Sequence, residues 1–324
     1  MDERFEEEIQ QNHEPAQSPY KPKHNRFVMS KTSYYALIII FSAVFVLSGI
    51  YLAGYFLETG NAEKEYDALA SLYQQGMADN QDTASSGNSS TTGSTGSSGP
   101  VETRPPTILP ELKPIYELNN DLVGWLNFPY DNLKISHPVM QSPYDEDFYL
   151  EHKFDREPNG EVAIGCPYVP LSCDVFKPSD KIVIYGHYLK GGGMFAPLKK
   201  YQEKSYWQEH QTFSFDTLYE RHTYQIFAVF KTAAEQYTAG GEPWGYPYHR
   251  TNDFANKEEF DAFIADIKGA AFANGTYQGV SFYDTGITPQ YGDKLLCLST
   301  CEYTMRDPDG TTNGRLVVMA VRID

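Results

Sequence analysis

The sequence predicts a mainly β domain, a barrel or sandwich of short strands with added helices, preceded by a single transmembrane helix. Three observations carry that expectation. Residues 33–57, SYYALIIIFSAVFVLSGIYLAGYFL, hold no charged side chain. Residues 80–106, NQDTASSGNSSTTGSTGSSGPVETRPP, hold almost nothing that can be buried. Beyond them, short runs rich in Val, Ile, Tyr and Phe recur between turn signals.

The apolar run comes first. At about 1.5 Å per residue it is long enough to cross a ~30 Å hydrocarbon core with some tilt. A cleaved signal peptide fits poorly, because both the run and the leader before it are too long and no small-residue cleavage site follows. Lys21, Lys23, Arg26 and Lys31 precede the run, and the next basic residue after it is Lys64. That bias places the N-terminus in the cytoplasm and everything after the span outside. The expected organisation is therefore a cytoplasmic tail over 1–32, a membrane helix over 33–57, a juxtamembrane stalk and flexible Gly/Ser/Thr linker over 58–106, and an extracellular domain over 107–324. Within the stalk, Tyr66, Leu69, Leu72 and Tyr73 make the apolar stripe of a short helix. A net charge of −17 argues against a nucleic-acid partner, which would need a basic footprint.

In the outer domain the strand-like runs are 122–128, 160–166, 181–187, 223–233, 293–300 and 314–323. One clear helix interrupts them at 256–272, with Phe260, Phe263, Ile264 and Ile267 on one face behind acidic first-turn residues. A single helix among strands does not make a βαβ fold.

The chemistry-bearing residues are few. Cys297 and Cys301 share the run LLCLSTCEY. Four residues of strand separate their Cα atoms by roughly 13 Å, beyond the ~7 Å reach of a disulfide. No histidine follows at metal-ligand spacing, so no metal is expected. Cys166 and Cys173 flank a turn-prone stretch, compatible with a small disulfide loop and equally with two free buried thiols. Cys301 ends its apolar run at the mouth of a polar loop, where a side chain is held rigidly and still meets solvent. It is the candidate nucleophile, with Cys297 a packed small hydrophobe. A thiol needs help to ionise at neutral pH. His187 terminates the apolar run KIVIYGH and opens a glycine-rich loop, whereas His137, His152, His210, His222 and His249 sit in polar or turn-like contexts and read as solvated. Arg315 opens the last strand, and an antiparallel return would start it beside the thiol. A guanidinium, always charged, can steady both a thiolate and an oxyanion.

YGHYLKGGGMF with His187, LSTCEY with Cys301, and Arg315 on the final strand resemble the sortases, membrane-tethered cysteine transpeptidases of Gram-positive surfaces. LNNDLVGWLNF, HPVMQSPYDEDFYLEHKF and the helix before the cysteine strand resemble class B in particular, over nearly all of 107–324. Cys297 stands where many members carry Thr. The resemblance implies an eight-stranded sortase-type β-barrel and a thiol enzyme without cofactor. Cys301 would attack the Thr carbonyl of an NPxTN- or (N/S)PxTG-like sorting motif in a secreted protein. An amine, from a peptidoglycan precursor or from a pilin lysine, would then resolve the thioester. His187 would move the protons and Arg315 would hold the developing charge. By position, Leu150, Ser299, Thr300 and Glu302 are expected to line the peptide groove. Two other readings compete. A papain-like hydrolase would place its cysteine before its histidine, the reverse of the order here. A non-catalytic surface-binding module would leave Cys301 dispensable.

Overall fold

The computed structural model describes residues 30–86 and 106–324, apart from 161, 190 and 309. The expected cytoplasmic tail apart from residues 30–32, and most of the expected flexible linker, lie outside the described residues. The chain divides into two units, Met1–Ala53 and Gly54–Asp324.

Helix α1 runs over Lys31–Ser86. Among the described residues it is the one helix long and apolar enough to cross a membrane, with a mean hydropathy of 2.5 over its most apolar window.

The second unit is built on a sheet of eight strands: β1 Leu122–Asn127, β2 Ser136–Met140, β3 Lys181–Tyr185, β4 Thr212–Thr217, β5 Thr223–Ala233, β6 Gly279–Ser281, β7 Leu295–Arg306 and β8 Thr312–Arg322. The spatial order is β2-β1-β4-β5-β8-β7-β3, with β6 added on β5. All neighbours run antiparallel except β3 and β7. The central strands are buried on both faces, so β7 and β8 read as near-continuous apolar runs rather than alternating ones.

The sheet closes through one residue. Tyr168 bridges Met140 at the end of β2 and Tyr185 at the end of β3. Val169 N–H donates to the Met140 carbonyl at 2.9 Å and Met140 N–H to Pro167 at 2.9 Å, while Tyr168 and Tyr185 exchange bonds of 3.0 and 2.9 Å. The strand expected over 160–166 is absent. Gly165 takes φ +55, and Pro167 has no N–H to give a ladder, so pairing waits until Tyr168.

Short helices decorate the sheet: α2 Lys113–Leu118, α3 Phe148–Glu151, α4 Lys204–Glu209, α5 Lys257–Ala265 and α6 Ala271–Ala273. Asn256 caps α5 by accepting from Glu259 N–H at 2.9 Å, and the Glu259 carboxylate reaches back to Ala255 N–H at 2.9 Å. The helix expected to reach 272 is broken at Asp266–Ala270, where Gly269 takes φ +131 and the backbone widens into a π turn. Strand β7 outlasts the expected end at 300. Its hairpin with β8 pairs Glu302 with Gly314 and Arg306 with Thr312 around an irregularity that the Glu302 carboxylate fills, accepting from Thr304 and Met305 N–H at 3.0 and 2.9 Å.

The C-terminal part of α1 is more than a stalk. Tyr66, Leu69 and Tyr73 are buried, while Leu72 faces solvent. Tyr73 stacks on Trp125 of β1 at 4.7 Å and donates to Asp216 of β4 at 2.7 Å. The stripe at i, i+3 and i+7 therefore covers the outer face of the β1–β4 pair and belongs to the core.

His137 corrects a second expectation. It lies on β2 opposite Leu126, edge-on to Tyr66 at 5.4 Å, buried, with neither ring nitrogen partnered. Burial lowers its pKa to about 4. Because the folded value lies below the ordinary ~6.5, the neutral ring is favoured in the folded state. The stability this gives is fully present above ~6.5 and is lost as pH falls toward 4, about 3 kcal/mol in all. His137→Phe is expected to flatten that part of the pH dependence. The check is the urea midpoint of the detergent-solubilised full chain between pH 7 and pH 4.5. Parallel curves for variant and wild type would contradict it.

Candidate active site

Strands β3 and β7 hold a constant register, Lys181 beside Leu295 through Tyr185 beside Ser299, an offset of 114 residues. Gly186 continues it, its N–H donating to the Ser299 carbonyl at 3.1 Å. The same offset sets His187 level with Cys301. On the other side of β7, Cys301 pairs directly with Arg315 of β8. Three residues far apart in the chain thus arrive at neighbouring strand positions. All three line one cavity of about 870 Å³.

Cys301 is the one partly exposed cysteine of the four. The others are inert by burial, which pushes the Cys166 and Cys173 thiols up and the Cys297 thiol up to about 12. Cys166 and Cys173 are both free, each thiol directed at a different backbone carbonyl, Pro138 and Lys181.

His187 is fixed by backbone. Its Nε2 lies 2.8 Å from the Leu150 carbonyl. A carbonyl only accepts, so Nε2 carries the hydrogen and Nδ1 is the basic nitrogen of the neutral ring. Gly165 packs under the imidazole, where a Cβ would stand 2.8 Å from His187 Cδ2 and 2.7 Å from the Tyr149 carbonyl. Only glycine accepts both that contact and the left-handed backbone.

Arg315 is half-buried, and its Nη1 donates back to the Gly314 carbonyl at 3.0 Å. No carboxylate pairs with it among the described residues, which leaves further donors for a ligand. Its charge reaches the cavity wall. His249, half-buried there, has its pKa lowered to about 4 by burial first, then by the charges of Lys181, Arg250 and Arg315.

No protein-family model matches the chain. Among curated proteins it is 29% identical to sortase B of Listeria monocytogenes over 208 residues, 64% of this chain and 72% of that protein. It is 26% identical to sortase B of Staphylococcus aureus over 213 residues, 66% of this chain and 75% of that one. Among solved structures, a Staphylococcus aureus sortase B–substrate complex superposes with a TM-score of 0.61 at 22% identity, covering 83% of this chain and 99% of its own. The chain has the sortase fold. The chain is thus similar in sequence to two sortase B proteins and shares their fold.

Of the residues expected along the groove of this sortase fold, Leu150, Ser299 and Thr300 line the cavity. Ser299 is tied to Tyr248 through a 2.7 Å hydroxyl contact, while the buried Thr300 hydroxyl has no partner. Glu302 does not line it. Its carboxylate is taken up by the β7–β8 irregularity, accepting from Thr304 and Met305 N–H. Sequence reasoning passed over Tyr168, Tyr185, Tyr248, His249 and Asn159, which all line the cavity. Tyr185 had a usable signal, since it stands two residues before His187 on the same strand edge. The others arrive from loops without periodicity. His249, expected to be solvated, meets Gln236 Nε2 at 3.0 Å in the cavity wall.

Proposed function

We propose that the chain is a class B sortase, a membrane-tethered cysteine transpeptidase that cuts a C-terminal sorting motif in secreted proteins and transfers the Thr carbonyl to an amine. Cys301 is the nucleophile. Its thiol proton passes to His187 Nδ1, the thiolate attacks the Thr carbonyl carbon, and the tetrahedral oxyanion lies against the Arg315 guanidinium. Collapse breaks the peptide bond, His187 Nδ1 protonates the departing amine, and a thioester to Cys301 remains. An incoming amine gives its proton to His187 as it attacks the thioester, and the thiolate leaves.

The observation that carries this reading is the strand register, which brings Cys301, its cross-strand neighbour Arg315 and the level His187 to one cavity. In this reading 107–324 is the extracellular catalytic domain, and residues 33–57 anchor it with the N-terminus in the cytoplasm, on the bias of Lys21, Lys23, Arg26 and Lys31. The superposed Staphylococcus aureus structure is a sortase B–substrate complex, which supports a sorting-signal peptide as the substrate class here.

The test is cleavage by the detergent-solubilised full chain of quenched peptides carrying NPxTN-like and (N/S)PxTG-like motifs. Triglycine, a diaminopimelate-bearing wall peptide and a lysine-bearing pilin peptide serve as acceptors. The expected result is scission after Thr, a thioester mass adduct on Cys301, and ligation to a wall-type amine. Ligation to the pilin lysine alone would replace wall anchoring by pilus assembly. No adduct with any peptide would remove the transpeptidase reading in favour of a binding module.

A further inference from the structure

The imidazole of His187 does not hold the Leu150 carbonyl alone. Asn159 Nδ2 donates to the same oxygen at 3.1 Å, beside the 2.8 Å bond from His187 Nε2. Both lone pairs of that carbonyl are therefore used. The other end of the Asn159 side chain, Oδ1, accepts from Ile164 N–H at 3.2 Å and Gly165 N–H at 2.9 Å. Backbone N–H groups only donate and a carbonyl only accepts, so these partners fix which amide atom is oxygen and which is nitrogen. Asn159 is tied down in turn by its own N–H, which donates to the Glu151 carbonyl at 2.7 Å at the end of α3. The Gly165 peptide is held at its far side as well, its carbonyl accepting from the Tyr66 hydroxyl of α1.

A continuous hydrogen-bonded path thus runs from Tyr66 through the Gly165 peptide, Asn159 and the Leu150 carbonyl to His187. Neither strand register nor the motif around His187 supplies this contact. We propose that Asn159 is a positioning residue for His187, sharing the Leu150 carbonyl with the imidazole so that Nε2 keeps the hydrogen and Nδ1 stays available for proton transfer. The proposal rests on the transpeptidase reading and adds a residue to it.

Asn159→Asp separates positioning from scaffolding. The carboxylate still accepts from Ile164 and Gly165, so the loop keeps its bonds, but it has no hydrogen to give Leu150 at neutral pH and sets an oxygen against the carbonyl. In the full chain, kcat for peptide cleavage is expected to fall roughly tenfold or more at pH 7.5, by a larger factor than any change in KM. Protonating the new carboxyl restores a donor, so the variant-to-wild-type rate ratio should climb as pH drops toward ~4. Glu58 of α1, Glu151, His152 and His187 stand by the loop in both proteins, so the ratio compares like with like. A ratio near one at neutral pH, or a depressed ratio that stays flat with pH, overturns the proposal. A second measurement needs no Asn159 variant: ¹⁵N-histidine NMR of the wild type, with His187 assigned through His187→Gln, should show the neutral ring as the Nε2–H tautomer. The Nδ1–H tautomer overturns it. Cys301→Ala and His187→Gln run alongside. If those two still turn over peptide, the transpeptidase reading fails; if they are inactive while Asn159→Asp matches wild type, only the positioning role fails.

Discussion

Cys301→Ala in the full chain is expected to lower sorting-peptide cleavage by ~10³-fold or more, to background, and to erase the thioester adduct. The substitution removes one sulfur atom from a partly exposed position at the cavity, so the fold should tolerate it. No other thiol can substitute. Cys166, Cys173 and Cys297 are buried and held protonated, and none of them lines the cavity. The decisive pair of measurements is kcat/KM with the preferred peptide and the thermal midpoint of the same sample. Turnover at the wild-type rate would dismiss the nucleophile. A collapse of the midpoint together with activity would make the loss uninformative, which is why Cys301→Ser belongs in the same series. It keeps volume and hydrogen bonding while giving a far weaker nucleophile, and it should be nearly as inactive.

Arg315→Lys should keep a positive charge and still cost about 10²-fold in kcat, with a smaller effect on KM. Arg315 sits directly across from Cys301 in the β7–β8 ladder, with Nη1 spent on the Gly314 carbonyl. The remaining donors of a planar fork can meet an oxyanion while that internal bond holds the group in place. An ammonium on a flexible stem has no second point of attachment, so its charge is retained and its direction is not. A rate within threefold of wild type would mean that charge alone suffices and that the fork geometry is incidental. Arg315→Ala then separates the two contributions, since it removes both.

The positions of β3, β7 and β8 were readable because each is a buried apolar run, although β7 continues past its expected end. The meeting of Cys301 and Arg315 follows from an antiparallel return, whereas His187 joins them through the parallel β3–β7 register, which the separate runs do not announce. What escaped is the part that depends on single residues or distant partners. Tyr168 closes the barrel with one bridge, and one residue has no period to detect. Gly165 and Asn159 matter through backbone groups, which the identity of a side chain does not advertise. His137 looks polar in its segment, and only the arrival of Tyr66 from α1 buries it. Glu302 was misplaced because the expected strand gave way to a loop there, whereas β7 runs on to Arg306 and the irregularity of its hairpin takes up the carboxylate.

The circumference of the barrel is fastened by two backbone bonds on each side of Tyr168, whereas its other seams are ladders several residues long. Tyr168 also lines the cavity that holds His187, Cys301 and Arg315. Unzipping there sacrifices a pair of bonds and leaves the hydrophobic interior intact. The molecule therefore yields most easily at the rim of the cavity, and stays stiff along the β7–β8 hairpin that aligns sulfur with guanidinium.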